Sequence, residues 1–305
     1  MKRLVAIVGP TAVGKTDLAL MLAQKLDGEI VGADSRQVYR YMDIGTAKPT
    51  IEERSLVPHH LVDIVDPDDD FSLALFQALA FDAIRDIQHR GKLPLLVGGS
   101  GLYVWAVLEG WSIPKVEPNL NLRRELERRA SSGGGLILYQ ELKQLDPQAA
   151  SNIDPKNVRR VIRALEVYWL TGRPFSELRK RNPPDFDTLI IGLTAQRSEL
   201  YRRIDSRVDR MIEQGLVEEV KDLLDRGYSL ELPSMSGLGY RQMGKFLSGE
   251  MSLPEAIERI KFETHRFARH QYAWFRLKDE RIRWFEISEK YLAESVLDRV
   301  SSHCG

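Results

Sequence analysis

Short apolar runs alternate with stretches of helical periodicity over the first hundred residues of the chain. The runs at Leu4–Val8, Glu29–Ala33 and Leu93–Val97 are bounded by glycine, proline or aspartate, which predicts three buried strands. Apolar residues at helical spacing predict helices over Asp17–Leu26 and Leu73–His89. Strands that alternate with helices predict an α/β fold, with a mostly parallel sheet flanked by helices on both faces.

The pattern changes in the middle of the chain, where no strand separates the helical stretches. Helices are predicted over 121–129, 136–145 and 155–170, with breaks at the Ser-Ser-Gly-Gly-Gly run of 131–135 and at the Pro-Pro pair of 183–184. The remainder predicts a strand over 188–193, helices over 198–226 and 253–275, and a last strand over 281–287. We therefore expect an α/β core over 1–116, an all-helical insertion domain over 117–186 and a largely helical second part of the core over 187–305.

Composition narrows the class of protein. Of the 305 residues 43% are hydrophobic and 29% are charged, as in an ordinary globular protein. Cys304 is the only cysteine, which excludes a disulfide framework or a cysteine-based zinc site within this sequence and favours a reducing compartment. No apolar run approaches the roughly 20 residues that a membrane-spanning helix needs. We expect a cytoplasmic protein with no membrane partner, and a monomer.

The formal net charge of zero hides a segregation of charge along the sequence. Residues 43–86 carry ten acids against three bases, whereas residues 121–181 carry thirteen bases against seven acids. Residues 256–283 carry eight bases against four acids. Two basic regions are compatible with a polyanionic partner such as a nucleic acid, although arginine-rich solvated helix faces would give the same counts.

The strongest chemical signal is a P-loop between the first predicted strand and helix. It consists of Gly9, Pro10, Thr11, Ala12, Val13, Gly14, Lys15 and Thr16. Terminal glycines let the backbone amides of such a loop point at phosphate oxygens, and the following helix adds the positive end of its dipole. Lys15 would supply a charge for the distal phosphate and Thr16 a hydroxyl ligand for Mg²⁺. The loop therefore predicts binding of a diphosphate group, and it makes the predicted α/β core a P-loop NTPase-like one.

The second acid-tipped strand of a typical P-loop hydrolase or kinase is missing from the pattern. The strand at Leu93–Val97 runs into Gly98-Gly99-Ser100-Gly101, and Asp34 is the one carboxylate at the tip of a predicted core strand. Asp34 could assist a metal or act as a base beside the phosphates, or Asp34-Ser35 could simply cap a helix. Ser100 could donate to a ligand in its small-residue turn or cap the next helix.

Two further stretches have both a functional and a structural interpretation. Residues 264–276 interleave bases with aromatic residues on one predicted helix, which suits phosphate contact and base stacking. A core stripe of Phe267, Tyr272 and Phe275 with exposed arginines explains the same pattern. His59-His60 lacks a third ligand at metal spacing, so no zinc site is expected there.

Taken together, these motifs resemble the tRNA dimethylallyltransferases, also called tRNA isopentenyltransferases, of the bacterial type. The resemblance covers nearly the whole chain in order. It rests on 9–16, 34–39 (Asp-Ser-Arg-Gln-Val-Tyr), 45–49 (Gly-Thr-Ala-Lys-Pro), 59–61, 98–103, 157–167, 203–211, 237–241 (Gly-Leu-Gly-Tyr-Arg) and 271–274. Ser100 stands where the family commonly has threonine, so a hydroxyl is retained.

The resemblance implies transfer of a dimethylallyl group from dimethylallyl diphosphate to the exocyclic amine of the adenosine 3′ of the tRNA anticodon. The P-loop would then hold a leaving diphosphate together with Mg²⁺, and no water need be positioned. Asp34 would take the proton of the amine, and Lys15 and Ser100 would complete the catalytic set. The adenosine would have to be flipped out of the anticodon loop to reach the diphosphate.

The resemblance also assigns substrate contacts. Arg163 and Arg207 are expected to join the P-loop at the diphosphate. Contacts to tRNA are expected from Asp34, Ser35, Arg36, Gln37, Ser100, Arg123, Asn157, Val158, Arg159, Arg160 and Val161. The basic insertion would hold the anticodon stem through its phosphates, with strong salt dependence.

Three other functions remain open at this point. An adenylate isopentenyltransferase would prenylate a free nucleotide, which offers no stem for the basic insertion to hold. A small-molecule P-loop kinase would bind ATP and transfer its phosphoryl group, and the missing acid-tipped strand counts against it. A nucleotide-gated RNA-binding protein without chemistry would keep its only activity, binding, after Asp34→Ala.

Overall fold

The computed structural model describes residues 2–114, 119–178 and 180–305, and the chain divides into two compact units. One unit comprises Met1–Leu108 together with Asp185–Gly305, and the other is Glu109–Pro184. The predicted insertion of 117–186 begins within 115–118, which lie outside the described residues. The observed second unit begins earlier, at Glu109, and ends at Pro184.

The first unit is built on a parallel sheet. Its strands are β1 (Arg3–Val8), β2 (Gly28–Gly32), β3 (His59–His60), β4 (Leu93–Gly98), β5 (Asp187–Thr194) and β6 (Ile282–Glu286). Within the described residues the strand order is β3-β2-β4-β1-β5-β6, and every neighbouring pair is parallel. Together with the P-loop after β1, this is the predicted P-loop NTPase-like core.

Helices flank this sheet and follow its strands along the chain. They are α1 (Lys15–Lys25), α2 (Ile51–Leu56), α3 (Leu73–His89) and α4 (Gly101–Leu108) before the second unit, and α10 (Arg197–Glu213), α11 (Leu216–Asp225), α12 (Tyr240–Leu247), α13 (Leu253–Trp274) and α14 (Leu292–Cys304) after it. Where the chain is described, no helix has both the length and the apolar character needed to cross a membrane.

The second unit is helical and has a core of its own. Its helices are α5 (Leu120–Arg129), α6 (Gly135–Leu145), α7 (Pro147–Ser151), α8 (Val158–Thr171) and α9 (Phe175–Leu178). Leu126, Leu138, Leu142 and Leu165 are fully buried at its centre. The glycine-rich run of 131–135 lies at a kink between α5 and α6, since Gly133 adopts a φ of +85° that only glycine tolerates well.

Register places the functional segments at one edge of the sheet. Val8 pairs with Gly98 on one side and with Gly192 on the other, and Gly32 of β2 pairs with Val97 of β4. The carboxyl ends of β1, β2 and β4 are therefore neighbours. In open parallel sheets this edge is where ligands bind, because the loops that leave it converge.

The sequence prediction of one helix over 198–226 is wrong. The structure has two helices, α10 and α11, separated at Gly215, whose φ is +100°. A non-glycine residue is strained at this φ, and the left-handed conformation ends a right-handed helix. Helix α10 therefore ends at Glu213, and α11 begins at Leu216.

A buried acid at the β2 edge supports a stability prediction. Glu29 is 2% exposed, accepts hydrogen bonds from Arg90 Nη2 at 2.7 Å and lies 2.8 Å from His60 Nε2. Hydrogen bonds from Arg90, and secondarily from His60, lower the pKa of Glu29 to about 2 against the opposing effect of burial. The folded state therefore holds this carboxyl ionised where the unfolded chain would protonate it.

We expect Glu29→Gln to lower the free energy of unfolding at pH 7 by about 1–3 kcal/mol, the usual range for losing a charged hydrogen-bond partner. Because the folded pKa lies below the unfolded value of 4.5, the stabilisation is complete above that value and is lost as the pH falls through about 2. Urea unfolding of the parent protein and of Glu29→Gln between pH 7 and pH 2.5 measures the difference in their free energies of unfolding. This difference should become smaller as the pH falls. A difference that is constant with pH would contradict the prediction.

Candidate active site

The P-loop runs from β1 into α1 with two glycines in conformations that the loop requires. Gly9 has a φ of +144°, and a Cβ there would lie 2.4 Å from the Leu193 carbonyl oxygen. Gly14 has a φ of +93° and immediately precedes α1. The loop thus curls around the amino end of α1, where backbone amides and the helix dipole favour an anion.

Lys15 is folded back onto the loop that carries it. Its Nζ donates to the carbonyl oxygens of Gly9 at 3.0 Å and Pro10 at 2.7 Å. Desolvation and the nearby Arg207 lower the pKa of Lys15 to about 7, while Asp34 opposes the shift. An anion in the loop would relieve this cost, since it would offer the ammonium a charged partner.

Arg207 brings a second cation to the site from α10. Burial lowers the pKa of its guanidinium below the usual value, although the charges of Asp34 and Asp17 act in the other direction. Arg207 lines the same cavity as the P-loop residues with which the sequence analysis grouped it. Two desolvated cations beside one carboxylate form a site that favours a multiply charged anion.

Asp34 lies directly after β2 and faces the same space. Its Oδ1 accepts a hydrogen bond from the Arg36 backbone amide at 2.8 Å, which fixes the side chain in a local turn. The helix-capping interpretation of Asp34-Ser35 is wrong, because turns follow and the next helix begins only at Ile51. Asp34 therefore lies in a turn just beyond the end of β2, where it lines the cavity described below.

Ser100 lies at the start of α4, next to the Asp34 turn. Its Oγ accepts a hydrogen bond from the Ser35 amide at 3.4 Å, so it ties the turn after β4 to the turn after β2. Gly98, two residues before it, could not carry a side chain, because a Cβ would lie 2.1 Å from the Ala33 carbonyl oxygen. Ser100 itself is not among the residues that line the cavity described below.

A cavity of about 730 Å³ joins these segments within the first unit. The P-loop, Asp34 and the Gly98-Gly99 turn form part of its lining, and four arginines of α10 line it as well: Arg202, Arg203, Arg207 and Arg210. The loop of 43–49 contributes a further wall, and Phe267 and Gln271 contribute from α13. The volume is within the range of small-molecule sites.

Gln271 was not assigned a role by the sequence, but it joins two parts of the cavity. It is 3% exposed, its Oε1 accepts from the Thr11 amide at 2.8 Å and its Nε2 donates to the Gly99 carbonyl at 2.9 Å. A Cβ at Gly99 would lie 2.3 Å from that Nε2. One buried amide therefore holds the P-loop at a fixed distance from the turn that carries Ser100.

We expect Gln271→Leu to lower the free energy of unfolding by about 1–3 kcal/mol, because two buried backbone groups lose their partners while the volume is kept. Thermal unfolding of the purified variant measures this change. His270→Leu on the exposed side of the same helix is the matched control and should change stability by less than about 0.5 kcal/mol. Equal losses in the two variants would contradict a bridging role for Gln271.

Arg36 and Gln37, two of the residues predicted to contact tRNA, bond to other segments of the first unit. Arg36 donates through Nη1 to the Ser234 carbonyl at 3.1 Å and through Nη2 to Ser236 Oγ at 3.1 Å. Gln37 Nε2 donates to the carbonyl oxygens of Thr46 and Ala47 at 3.1 and 3.0 Å. Only Gln37 of these two lines the cavity.

Arg163 and Arg123 belong to the second unit, where both bind one buried carboxylate. Glu166 is fully buried and accepts from Arg123 Nε at 2.8 Å, Arg123 Nη2 at 2.9 Å and Arg163 Nη1 at 2.6 Å. Burial alone would raise the pKa of Glu166, but these bonds hold it below its usual value. The two arginines therefore have a structural role that the sequence did not indicate.

The predicted contact segment of 157–161 begins α8 in the second unit. Asn157 caps the helix by accepting from the Arg160 amide at 3.2 Å. Arg159 and Arg160 are exposed and Val158 is half-buried, whereas Val161 is 1% exposed within the core of the unit. The arginine side chains are available to a partner, and the Val161 side chain is not.

The basic and aromatic segment of 264–276 divides between core and surface. Ala268, Gln271 and Phe275 are buried, while Phe267 and Trp274 are 42% and 40% exposed. Phe267 therefore does not belong to the core stripe that the structural interpretation proposed, and it lines the cavity instead.

In the ranges that the structure describes, no group of three or more His, Cys, Asp or Glu side chains could hold a metal ion.

Comparison with known proteins gives one consistent result. The family model described as IPP transferase matches residues 37–278, and one described as isopentenyl transferase matches residues 2–57. The chain is 60% identical over 273 residues to a tRNA dimethylallyltransferase of Roseiflexus castenholzii, covering 90% of this chain and 89% of that protein. It is 54% identical over 299 residues to the one of Thermomicrobium roseum, covering 98% and 91%.

Solved structures agree with the sequence relatives. The full-length tRNA isopentenylpyrophosphate transferase of Bacillus halodurans is 44% identical with a TM-score of 0.74, covering 99% of this chain and 97% of that one. A eukaryotic dimethylallyltransferase acting on tRNA is 30% identical with a TM-score of 0.82, covering 99% and 79%. The family model, the relatives and the P-loop core agree, and the chain belongs to the tRNA dimethylallyltransferase, or IPP transferase, family.

Proposed function

We propose that the chain transfers a dimethylallyl group from dimethylallyl diphosphate to the N6 amine of the adenosine at tRNA position 37. The observation that carries this proposal is the shared cavity of Lys15, Thr16, Arg207 and Asp34. Cations at one end suit a leaving diphosphate, and a carboxylate in the same space suits the proton of an attacking amine. Family membership supports the same reaction.

In this reaction the N6–C1 bond forms while the bond between C1 and the diphosphate oxygen breaks. The electron pair of the broken bond leaves on the diphosphate, where Lys15, Arg207 and the P-loop amides stabilise the added charge. The proton of the amine passes to Asp34, because the adenine amine is weakly basic and must lose it as the new bond forms. Diphosphate and the prenylated adenosine are the products.

The donor set of the P-loop is compatible with Mg²⁺. Thr16 lines the cavity beside Lys15, and a hydroxyl is an oxygen ligand of the kind that Mg²⁺ accepts alongside phosphate oxygens and water. When bound, the ion would add positive charge against the diphosphate. Thr16 is therefore the residue of this chain that we propose to hold it.

The tRNA would be bound in part by the second unit. Arg159 and Arg160 are exposed on α8 and are suited to phosphate contacts. Arg123 and Arg163, which the resemblance assigns to the RNA and to the diphosphate, have side chains that are 33% and 30% exposed. In the first unit, Asp34 to Gln37 and Ser100 would contact the flipped base. We propose that the protein acts as a cytoplasmic monomer.

The experiment is one incubation of purified protein with Mg²⁺, dimethylallyl diphosphate and an unmodified anticodon stem-loop that carries adenosines at positions 36 to 38. Mass spectrometry should show one added dimethylallyl group on the RNA. A parallel reaction replaces the prenyl donor by ATP, and another replaces the stem-loop by AMP. Unchanged RNA with phosphoryl transfer from ATP would support a kinase, and prenylation of AMP alone would support an adenylate isopentenyltransferase.

A further inference from the structure

The loop of 43–49 is an irregular segment that nevertheless forms a wall of the cavity. Asp43, Ile44, Thr46, Ala47 and Lys48 all line it, and the segment contains neither helix nor strand. Loops of this kind are mobile unless other groups satisfy their backbone. The groups that bond to the backbone of this loop therefore determine the shape of this side of the cavity.

A single carboxylate on α11 receives three consecutive amides of this loop. Glu219 Oε2 accepts from the Asp43 amide at 2.9 Å and from the Ile44 amide at 2.7 Å, and Oε1 accepts from the Gly45 amide at 3.1 Å. Hydrogen bonds to an ionised group are about twice as strong as neutral ones. The Glu219 side chain thus binds consecutive backbone amides of the loop in the way that an anion binds the amides of a backbone nest.

Tyr240 contacts both Glu219 and the loop. Its hydroxyl donates to Glu219 Oε1 at 2.6 Å, and the side chain is 1% exposed. Burial and the charge of Glu219 raise the pKa of Tyr240 well above its usual value, so the phenol stays a donor. Its ring lies where a side chain at residue 45 would be: a Cβ on Gly45 would come within 2.5 Å of it.

The other end of the loop is fixed by a buried lysine. Lys48 is 8% exposed and donates through Nζ to the Tyr39 carbonyl at 2.8 Å and to Asp43 and Asp63 at 2.5 Å each. The loop is therefore anchored at both ends. Glu219 is the anchor that lies outside the cavity lining, so changing it alters the wall without removing a lining side chain.

We propose that Glu219, acting with Tyr240, is a positioning residue that holds the 43–47 wall against the hydrocarbon end of the prenyl donor. This rests on the function proposed above. Ile44 and Ala47 are the apolar members of the wall, and the P-loop takes the charged end of the donor. Loosening the wall should weaken binding of the five-carbon chain and leave the site for diphosphate intact.

Glu219→Gln tests this directly, because its amide keeps the shape but replaces one acceptor by a donor that faces backbone amides. We expect KM and Kd for dimethylallyl diphosphate to rise roughly 10-fold, the effect of losing one charge-assisted bond. We expect Kd for inorganic diphosphate and kcat to change less than threefold. Amide hydrogen exchange at residues 43–45 should accelerate, while exchange at the P-loop stays as in the parent.

Glu218→Gln is the matched control, since Glu218 is the exposed neighbour on the same helix and does not line the cavity. It should leave KM and hydrogen exchange unchanged. Tyr240→Phe keeps the ring against Gly45 and removes only the hydroxyl, so it should give a smaller rise in KM than Glu219→Gln. All variants are compared at a temperature where circular dichroism shows each of them folded.

The outcomes separate this proposal from the proposed function. Suppose that the parent protein prenylates the stem-loop, and that Glu219→Gln has the same KM for dimethylallyl diphosphate and the same amide exchange at residues 43–45 as the parent. The positioning role is then wrong. If exchange accelerates but KM for the prenyl donor and Kd for inorganic diphosphate rise equally, the wall does not hold the hydrocarbon end and the proposal is also wrong. If the parent protein prenylates nothing, the function itself fails, and exchange still reports whether Glu219 holds the loop.

Discussion

Replacing Asp34 by asparagine should lower kcat for prenylation of the anticodon stem-loop by about 10²- to 10⁴-fold, the usual contribution of a positioned general base. The asparagine side chain cannot take the proton that N6 loses when the bond to C1 forms. Its oxygen can still accept the 2.8 Å hydrogen bond from the Arg36 amide, so the turn after β2 should persist. KM for dimethylallyl diphosphate should therefore change by less than about threefold.

Single-turnover kinetics, followed by mass spectrometry of the RNA, measure the chemical step for this variant. Asp68→Asn is the matched control, because Asp68 is exposed in the acidic segment after β3 and lies outside the cavity lining. The control should prenylate at the rate of the parent protein. A rate for Asp34→Asn within threefold of the parent would show that the proton leaves by another route.

Most of the fold that positions Asp34 follows from local sequence. Helix α3 has the bounds that its periodicity predicts, Leu73–His89, because Ser72 caps it and a stripe with Phe76, Ala80 and Ile84 is buried on one face. The strands agree to within about one residue at each end. Local signals of this kind do not depend on distant parts of the chain.

Two of the elements that sequence reasoning missed, α4 and β3, lack such a local signal. Helix α4 is almost entirely apolar and buried, so no polar face marks its helical period. The two-residue strand β3 exists only through pairing of His59 and His60 with β2. Tertiary contacts create both elements, and a pattern read along one segment cannot contain those contacts.

The candidate site likewise contains residues that a local motif predicts and residues that only distant contacts bring into it. The P-loop is a contiguous motif, so its residues and their anion chemistry could be predicted. Gln271 bonds to Thr11, 260 positions away, and Glu219 bonds to residues more than 170 positions away. On its own helix each is one polar residue among several. Arg123 and Arg163 were assigned to substrate through the resemblance, and their bonds to the buried Glu166 could not be foreseen from an arginine-rich stretch.

A second large loss of activity is expected from changing Lys15, which lies at the proposed site of the leaving diphosphate. Lys15→Met should lower kcat/KM for dimethylallyl diphosphate by at least about 10²–10³-fold, the range for losing one preorganised group that stabilises developing charge. Methionine keeps much of the length of the side chain but has no charge. The diphosphate would then leave with only the arginines of α10 and the loop amides to stabilise it.

The environment of Lys15 makes this effect larger than that of a surface lysine. Its ammonium is desolvated enough for the pKa to fall to about 7, and an interaction in such surroundings is little screened by water. Its present partners, the Gly9 and Pro10 carbonyls, are neutral and can be exchanged for phosphate oxygens without moving the backbone. The loop is therefore preorganised for an anion before one binds.

Calorimetry with inorganic diphosphate and single-turnover prenylation together measure the loss for Lys15→Met. Lys25→Met in the last turn of the same helix is the matched control, because Lys25 is exposed and does not line the cavity. It should keep the affinity and the rate of the parent. Diphosphate affinity and prenylation rate that both survive Lys15→Met would mean that the leaving group does not sit in the P-loop, and the orientation of the donor in the cavity would have to be reversed.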